Sequence, residues 1–469
     1  MKKRSISRNN PIEDMGTDKY SFDNLNVGVK KNTKENSHTT WKYSTVVFWF
    51  FIIFVIVIFS IFFLAYFKLG FSRGLFPHHD FISQTPKLDS SVLEIVAVID
   101  TPPGNIAVSA SERIFLSLHP LYGHPFKVVE LVNKTSYIPY PNLEYQKRIV
   151  SCLSLRIDSN DHLWILDHGE NGLIGSPKLI NIQLAQYFSI QDENEDNFVY
   201  EYVFPKEVAG AGSFLNDFQV DPSGDFIYIV DTSFVANTPA IIIFDVTMKK
   251  SYRILHNHPT LFGDSYYLNI KGTKLGLGPF GFKVNVDSIA IDRTGDKLYY
   301  SAVTSDKMYS IPTNLLLSYM DIFKKYNSKS RASVLEEEII RSIILVSDRM
   351  PASDGLTSDN EGNIWITAFE HSAIAMAKFN ATTGLFFKTY DTANIINVVQ
   401  DSKLLQWPDG FSFGPSGLYI TNSNLNNKVA SPFDSRDSFF KKYGPFTILK
   451  IPTYSLKTIG MSEIPIAGH

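Results

Sequence analysis

The chain has very little cysteine: Cys152 is the only one in 469 residues. An intrachain disulfide is therefore excluded, and a zinc site built from paired thiolates is not supported. Since no base adjoins Cys152 in the sequence, the pattern favours a small buried residue at the start of a strand over a catalytic thiol.

An excess of one charge is also lacking, because 44 Lys and Arg residues stand against 47 Asp and Glu residues. The two signs are interspersed, with no basic stripe of the kind that binds nucleic acid. The sequence contains no G-x-S-x-G motif, no phosphate-binding loop of the G-x-x-x-x-G-K-[ST] type and no CxxC pair. Serine hydrolases, nucleotide-binding proteins and zinc-site proteins are therefore not indicated.

One long apolar run is present, from Ser44 to Phe67, and it carries no charge. At ~1.5 Å per residue a helix of this length crosses a ~30 Å hydrocarbon layer. The polar segment before it is too long for a cleaved signal peptide, so we predict an uncleaved signal anchor. Nine basic residues precede the run, whereas only Lys68 and Arg73 follow closely. This bias predicts a cytosolic N-terminus and an extracellular, lumenal or periplasmic remainder.

These patterns predict four regions: a disordered cytosolic tail over 1–43, the membrane anchor over 44–67, a stalk over 68–90 and a folded domain over 91–469. The tail is rich in Asn, Lys, Ser and Thr, a composition that buries little apolar surface. Within the folded domain, Thr313 to Arg349 is expected to be a loop insertion between repeats, with at most one short helix.

A short phrase recurs six times, made of a strand-like run, a tight turn and a second strand with an aromatic or large apolar residue. The copies are Ser109–Phe115, Asp158–Trp164, Asp221–Tyr228, Asp292–Tyr299, Asp359–Trp365 and Gly414–Tyr419. Turns such as Asp221-Pro222-Ser223-Gly224 close hairpins, because Pro presets φ and Gly adopts positive φ. Repeats of short strands at such spacing predict an all-β fold, a six-bladed β-propeller. Ser91–Val98 and Phe446–Ile451 are expected to close the ring within one blade.

The chain resembles the major royal jelly protein/Yellow family over roughly residues 91–455. The resemblance is carried by an ordered set of phrases: Leu163–Asp167, Ser213–Asp217, Pro239–Asp245, Lys297–Ser301, Ser353–Leu356 and Leu405–Asp409. It implies a six-bladed propeller that either binds a small amine in its central channel or acts as a dopachrome-converting enzyme. The membrane anchor and the lack of paired cysteines depart from the family's usual members.

Candidate site residues follow from the repeat itself, because inner propeller strands line the channel and their first residues lie near one mouth. The residues five positions before each turn are Gly104, Leu153, Asn216, Asp287, Asp354 and Asp409. Converging carboxylates repel one another unless a cation lies between them, and such oxygen ligands suit Ca²⁺ or Mg²⁺. We therefore predict that Asn216, Asp287, Asp354 and Asp409 bind a small-molecule ligand or a metal. The alternative is that Asp354 and Asp409 only cap strand entrances.

Three further patterns are weaker. His256 and His258 have H-x-H spacing without an evident third metal ligand. His168 with Glu170, and Glu370 with His371, follow strands and could act as acid/base pairs in a tautomerisation.

Two classes of function stay open at this stage. The first is a binding module for an amine or catechol-like molecule, without nucleic-acid partners. The second is an enzyme, either a dopachrome-type tautomerase or a metal-dependent lactonase of the gluconolactonase type. The lactonase type takes a metal-binding Glu from its first blade, where this chain has Gly104 and Asn105.

Overall fold

The computed structural model describes residues 36–77, 84–184, 199–326, 329–380, 382–383, 385–386, 388–389 and 392–461. The chain divides into two compact units, Met1–Phe62 and Phe63–His469. Most of the predicted tail, residues 1–35, lies outside the described residues.

The apolar run forms part of one long helix, α1 (Asn36–Leu69). Within it, the 25 residues of Thr45–Leu69 are long and apolar enough to span a membrane. Large side chains along this stretch are exposed, Phe50 and Phe59 by 70% and 69%. A soluble core helix would bury such residues, so α1 is a candidate membrane span.

The second unit is built from six four-stranded antiparallel sheets, and the predicted six-bladed β-propeller is confirmed. The strands of the blades, with one hairpin and four minor strands, follow in chain order: β1 (Glu94–Ile99); β2 (Pro103–Val108), β3 (Ile114–Leu118), β4 (Val128–Asn133), β5 (Ser136–Pro139); β6 (Cys152–Ile157), β7 (His162–Asp167), β8 (Lys178–Gln183), β9 (Val199–Val203); β10 (Leu215–Val220), β11 (Phe226–Asp231), β12 (Ala240–Asp245), β13 (Lys250–Ile254); β14 (Leu268–Ile270), β15 (Thr273–Leu275); β16 (Val286–Ile291), β17 (Lys297–Ala302), β18 (Met308–Pro312), β19 (Ile344–Ser347); β20 (Ser353–Ser358), β21 (Ile364–Ala368), β22 (Ala373–Ala377), β23 (Phe379–Asn380), β24 (Leu385–Phe386), β25 (Lys388–Thr389), β26 (Thr392–Ala393), β27 (Ile395–Gln400); β28 (Pro408–Gly414), β29 (Gly417–Asn422), β30 (Phe446–Pro452).

Blades one to three are β2–β5, β6–β9 and β10–β13, and blade four is β16–β19. Blade five joins β20, β21, β22 and β27, and blade six joins β28, β29, β30 and β1. The inner strands are therefore β2, β6, β10, β16, β20 and β28, each the first of its blade.

The ring closes where β1 pairs with β30, from Glu94 opposite Lys450 to Ile99 opposite Phe446. The outermost strand of blade six thus comes from the start of the propeller, while its other three strands come from the end. This arrangement confirms the predicted closure, because one blade contains strands from both ends of the propeller.

The recurrent phrase has a structural cause in the tight turn that joins the first two strands of a blade. The Oδ2 atoms of Asp158 and Asp359 accept hydrogen bonds of 2.8 Å from the indole Nε1 of Trp164 and Trp365 respectively. Both indoles are buried, so each turn carboxylate satisfies a donor that would otherwise lack a partner. In the same turn of blade five, Gly362 has φ of 83° and permits the left-handed conformation.

The prediction of a loop over 313–349 is wrong. The structure has two helices there, α2 (Thr313–Tyr326) and α3 (Lys329–Ser342), followed by β19, and they lie within blade four rather than between blades. Leu316 and Met320, one helical turn apart, are buried with Ile339 in the core of blades three and four. The helices connect β18 to β19, at the end opposite to that where inner strands begin.

Three shorter helices follow β29 in the chain: α4 (Leu425–Ala430), α5 (Arg436–Tyr443) and α6 (Thr453–Thr458). The Ser435 side chain caps α5 by accepting from the Ser438 backbone N–H. Phe439 of α5 is buried against Tyr122, which ties blade six to blade one.

Deletion of Phe446–His469 should abolish cooperative unfolding, because β30 pairs with both β1 and β29. Thermal or urea unfolding followed by circular dichroism would measure this. As a control, Thr447→Ala on the same strand should change the free energy of unfolding by no more than about 0.5 kcal/mol. A truncated chain that unfolds as cooperatively as the intact one would show that the ring closes elsewhere.

Candidate functional site

All six inner strands carry a bulge at the same place, just after their first residue. Pairing with the second strand skips one or two residues there in every blade. The skipped residues are Gly104 and Asn105, Leu153, Asn216 and Asp217, Asp287, Asp354 and Gly355, and Asp409 and Gly410. Bulges release side chains from the ladder and turn them in new directions. All six positions selected from the repeat fall on these bulges, at one end of the channel that we call the carboxylate mouth.

Neighbouring inner strands approach closely at this mouth. A Cβ atom on Gly355 would lie 2.0 Å from the backbone oxygen of Asp409. A Cβ on Gly410 would lie 3.0 Å from the Cα of Asn105. Glycine after each aspartate is therefore required by the packing of blades five, six and one around the axis.

Asp287, Asp354 and Asp409 come together on the side of blades four to six. Asp287 is 3% exposed, and the other two are partly exposed. Burial and the neighbouring Asp354 carboxylate raise the pKa of Asp287 well above its ordinary value, and the two side chains are hydrogen-bonded. Burial and Asp354 likewise raise the pKa of Asp409 well above its ordinary value. The hydrogen bond between the two carboxyl groups raises the pKa of Asp287 and lowers that of Asp354, so a proton shared by the pair is favoured on Asp287.

Two further contacts fix this pair. Trp407 donates its indole N–H to Asp354 Oδ2 at 2.5 Å. Thr232 donates its hydroxyl to Asp287 Oδ1 at 3.1 Å. Burial raises the pKa of Asp354, whereas its bonds with Trp407 and Asp287 lower it, so the charge of the pair is stabilised on Asp354.

The side of blades one to three has its own counter-ion, Arg156. The guanidinium donates to both carboxylate oxygens of Asp217, at 2.7 and 2.9 Å. It also donates to Asn105 Oδ1 at 2.8 Å. Ser154 adds a hydroxyl bond of 2.6 Å to Asp217. This carboxylate is therefore paired with a cation and hydrogen-bonded through both of its oxygens inside the protein.

The two sides of the channel differ in charge compensation. Within the part of the chain that the structure describes, no Lys or Arg side chain forms an ion pair with Asp287, Asp354 or Asp409. The charge of Asp217 also raises the pKa of all three. Blades four to six thus present carboxylates whose negative charge lacks a protein counter-ion.

The structure brings together three of the four predicted site residues. Asn216 is buried at the equivalent bulge of blade three, 8% exposed, but its neighbour Asp217 supplies the charge that acts on the cluster. Sequence reasoning missed Asp217, Arg156 and Trp407. For Asp217 the adjacent polar pair Asn216-Asp217 was the available signal, since both residues are skipped by the pairing at the bulge.

The rim of the mouth carries histidines that are buried and neutral. Burial, with a smaller effect of His168, lowers the pKa of His119 to about 3, and burial lowers the pKa of His168 to about 4. His168 Nε2 lies 2.9 Å from Ser151 Oγ, and its Nδ1 accepts from the Asn171 N–H. The predicted partner Glu170 is exposed.

The other sequence candidates lie in connecting segments. Glu370 is 5% exposed and accepts from the Asn269 N–H at 2.6 Å, and burial raises its pKa to about 7. His256 accepts from Arg253, and His258 lies beside Thr260, both in the segment after β13.

The hairpin β14–β15 forms a roof over one side of the carboxylate mouth. Leu268, Ile270 and Leu275 of the hairpin are buried against Phe369 and Trp407. The rings of Phe369 and Trp407 stack at 4.1 Å. Because Trp407 is only 2% exposed, its indole positions Asp354 rather than facing the channel.

The same geometry bears on the predicted metal site. Among the described residues, no group of three or more His, Cys, Asp or Glu side chains is arranged to hold a metal ion. Carboxylate ligands must also be deprotonated, whereas Asp287 and Asp409 favour their protons in the absence of a cation. Ca²⁺ or Mg²⁺ at this site therefore stays a prediction.

Asp287→Asn should make the protein progressively more stable than the wild type as pH rises. A buried acid with a raised pKa binds its proton more tightly in the folded state, so stability is lost as pH rises above the unfolded pKa of about 3.9. The amide cannot ionise, and each unit of pKa elevation corresponds to about 1.4 kcal/mol. Urea unfolding of both proteins across this pH range would measure the difference. A difference that does not change with pH would contradict the shared proton.

Comparison with solved structures finds similar chains at low sequence identity. A luciferin-regenerating enzyme matches with 12% identity and a TM-score of 0.44, covering 80% of this chain and 97% of its own. A putative gluconolactonase matches with 11% identity and a TM-score of 0.43, covering 80% and 96%. The calcium-binding protein regucalcin from Agrobacterium tumefaciens matches with 12% identity and a TM-score of 0.41, covering 76% and 93%. Similarity at this level says nothing about what this chain binds.

Comparison with curated proteins finds no significant match. The family model described as "Major royal jelly protein" matches residues 150–444, more than half of the chain. The matched region runs from just before β6 to just before β30 and contains Asn216, Asp287, Asp354 and Asp409. The chain therefore belongs to the major royal jelly protein family.

Proposed function

We propose that this propeller binds a small cationic molecule, an amine or an amine-bearing catechol, at the carboxylate mouth of its channel. The observation that supports this is the unequal charge compensation around the axis. Asp217 has Arg156 within hydrogen-bond distance, whereas Asp287, Asp354 and Asp409 have no such partner among the described residues. A ligand ammonium placed among them would supply the missing charge.

An ammonium fits the chemistry of these carboxylates. It can donate to Asp354, whose hydrogen bond with Asp287 favours the ionised form, and to Asp409, which is partly exposed. Binding would favour ionisation of a second carboxylate, so a proton should leave the site as the ligand enters. Neutral His119 and His168 on the rim add no competing positive charge. An amine is favoured over Ca²⁺ or Mg²⁺ because it can be bound without stripping every carboxylate of its proton.

Asp354→Asn combined with Asp409→Asn should remove the stabilisation that a bound amine gives to the wild type. A ligand at about 100 times its dissociation constant adds about 2.7 kcal/mol, which a thermal-shift assay detects. The unliganded melting temperature should be unchanged or higher, because like-charge repulsion is relieved. The screen would include catecholamines, indoleamines, Ca²⁺, Mg²⁺ and sugar lactones.

The matched control is Asp225→Asn with Asp296→Asn, which removes two exposed charges from the opposite end of the propeller. This control should respond to the amine as the wild type does. Wild-type affinity in the double variant at 354 and 409 would refute the site. If the two aspartates only cap strands, Asp→Ala variants should cost about 0.5–2 kcal/mol each without affecting any ligand response.

A second candidate function is proton transfer within a bound substrate, as in a dopachrome-type tautomerase. The hydrogen-bonded Asp287–Asp354 pair favours it, because one member holds a proton and the other can accept one. If the protein is such an enzyme, the wild type should convert dopachrome. The Asp287→Asn variant should lose this activity but still bind the ligand. If the wild type binds the ligand but does not convert dopachrome, only the binding proposal stands. A metal-dependent lactonase would instead require Ca²⁺ or Mg²⁺ for turnover of a sugar lactone.

We also propose that Thr45–Leu69 anchors the chain in a membrane, with the N-terminus in the cytosol and the propeller extracellular, lumenal or periplasmic. The length and apolarity of the helix support the anchor. The excess of basic residues before it supports the orientation.

Protease added to intact cells or spheroplasts should therefore digest the propeller, provided that the anchor lies in the surface membrane, because the positive flank holds the N-terminus inside. Immunoblotting with antibodies against each end of the chain would measure this. If the anchor lies in an internal membrane, sealed vesicles from that membrane should protect the propeller and expose the N-terminus. If the protease digests only the first 43 residues of the chain in intact cells, the orientation is the opposite of the one proposed.

A further inference from the structure

The segment that directly follows α1 is built into the propeller. The backbone N–H of Arg73 donates to Ser265 O, and that of Phe76 donates to Tyr267 O, both at 2.8 Å. Tyr267 N–H donates in return to Gly74 O at 2.8 Å. Phe76 is 1% exposed and is buried with the hairpin β14–β15 against Trp407. Residues 70–76 thus pair with the roof over the carboxylate mouth through two isolated backbone bridges, at Phe71 and Leu75.

The outer surface of this roof is apolar and basic. Phe71, Leu75 and Leu277 are exposed by 54%, 48% and 64%. Phe71 and Leu277 both pair with Phe280, and Leu75 pairs with Tyr267. We call the three exposed residues Phe71, Leu75 and Leu277 the roof patch.

Basic residues surround the roof patch. Within residues 70–76 and 264–284 there are four, Arg73, Lys271, Lys274 and Lys283, against the single acidic residue Asp264. The Lys274 ammonium lies 3.5 Å from the centre of the Tyr267 ring. Aromatic and aliphatic side chains with Lys and Arg around them are typical of surfaces that lie in the headgroup layer of a membrane.

Chain continuity identifies what this surface meets. Leu69 is the last residue of both α1 and the candidate span, and the segment that pairs with the roof begins at Gly70. A residue rises at most about 3.6 Å along an extended chain, so residues 70–76 cannot lie far from the end of the span. No linker separates the helix from the roof.

We propose that the roof patch is a lipid-docking surface, which holds the roof of the carboxylate mouth against the headgroups of the membrane that α1 spans. The proposal rests on the membrane anchor proposed above. The inner side of the same roof packs on Trp407, which orients Asp354. An amine would therefore reach the site from the interfacial layer, where amphipathic amines concentrate.

The test uses the full-length chain in vesicles that contain anionic phospholipid and a headgroup nitroxide lipid. Leu277→Cys, and separately Phe71→Cys, would carry an environment-sensitive fluorophore. Val132→Cys, 59% exposed and beside the β4–β5 turn at the opposite end of the propeller, is the matched control. Cys152 contributes little background, because it is fully buried and burial raises the pKa of its thiol.

The proposal expects nitroxide quenching at 277 and at 71, with none at 132. If the fluorescence that remains at 277 equals that at 132, the roof patch does not lie against lipid and the docking surface is overturned. If alkaline carbonate does not extract the chain in the same preparation, the proposed anchor still stands. Release of the chain by carbonate would overturn both. If the fluorescence at 277 and 71 is not quenched by the lipid but changes with the number of protein molecules per vesicle, a second copy of the chain covers the roof patch. This result would also overturn the proposal. The Phe71→Cys variant provides a second reading should Leu277→Cys fail to fold.

Discussion

Closure of the ring by β1 against β30 is the constraint on which the rest of the molecule depends. Each blade buries its faces only against its two neighbours, so six blades without closure would leave two apolar faces in water. Closure also fixes the axis on which the six inner strands converge. Asn105 of blade one lies against Gly410 of blade six, at the junction that closure creates. The geometry of the carboxylate mouth is therefore a consequence of a pairing at the outer rim of blade six.

The site combines two ways of keeping carboxylates inside a protein. Asp217 is paired with Arg156 and hydrogen-bonded to Ser154, and these contacts offset part of the rise in pKa that burial causes. For Asp287, burial and the Asp354 carboxylate favour the protonated form, which costs less to bury than a charge. The second arrangement is the one that responds to a ligand, because an incoming cation changes which protonation state is favoured. If an Arg side chain paired with the carboxylate of every blade, the ring would need no external cation and would bind a cationic ligand less well.

The repeat in the sequence carried enough information for the fold and for the ring of bulge positions. Turn residues such as Asp158 and Asp359 are local signals, since each holds an indole six residues later in its own blade. Arg156 and Trp407 could not be found in this way. Their partners Asp217 and Asp354 belong to neighbouring blades, and the contacts depend on how far each bulge turns its residue. The helices α2 and α3 were missed because the Lys/Ser-rich centre of the insertion masks the periodicity that Leu316 and Met320 begin.

The roof is the feature that sequence patterns predict least. It connects the segment after α1 with the carboxylate mouth. Its strands are only three residues long, β14 and β15, and they gain order from Phe76 on one side and from the Phe369–Trp407 stack on the other. Phe76 belongs to the segment just after α1, while Trp407 belongs to blade six, where it donates to Asp354. The position of the site carboxylate is thus linked, through packed side chains, to the segment that emerges from the candidate membrane span. Within the family, an anchor at this point in the chain would add more than attachment, because it supplies part of the wall behind the site.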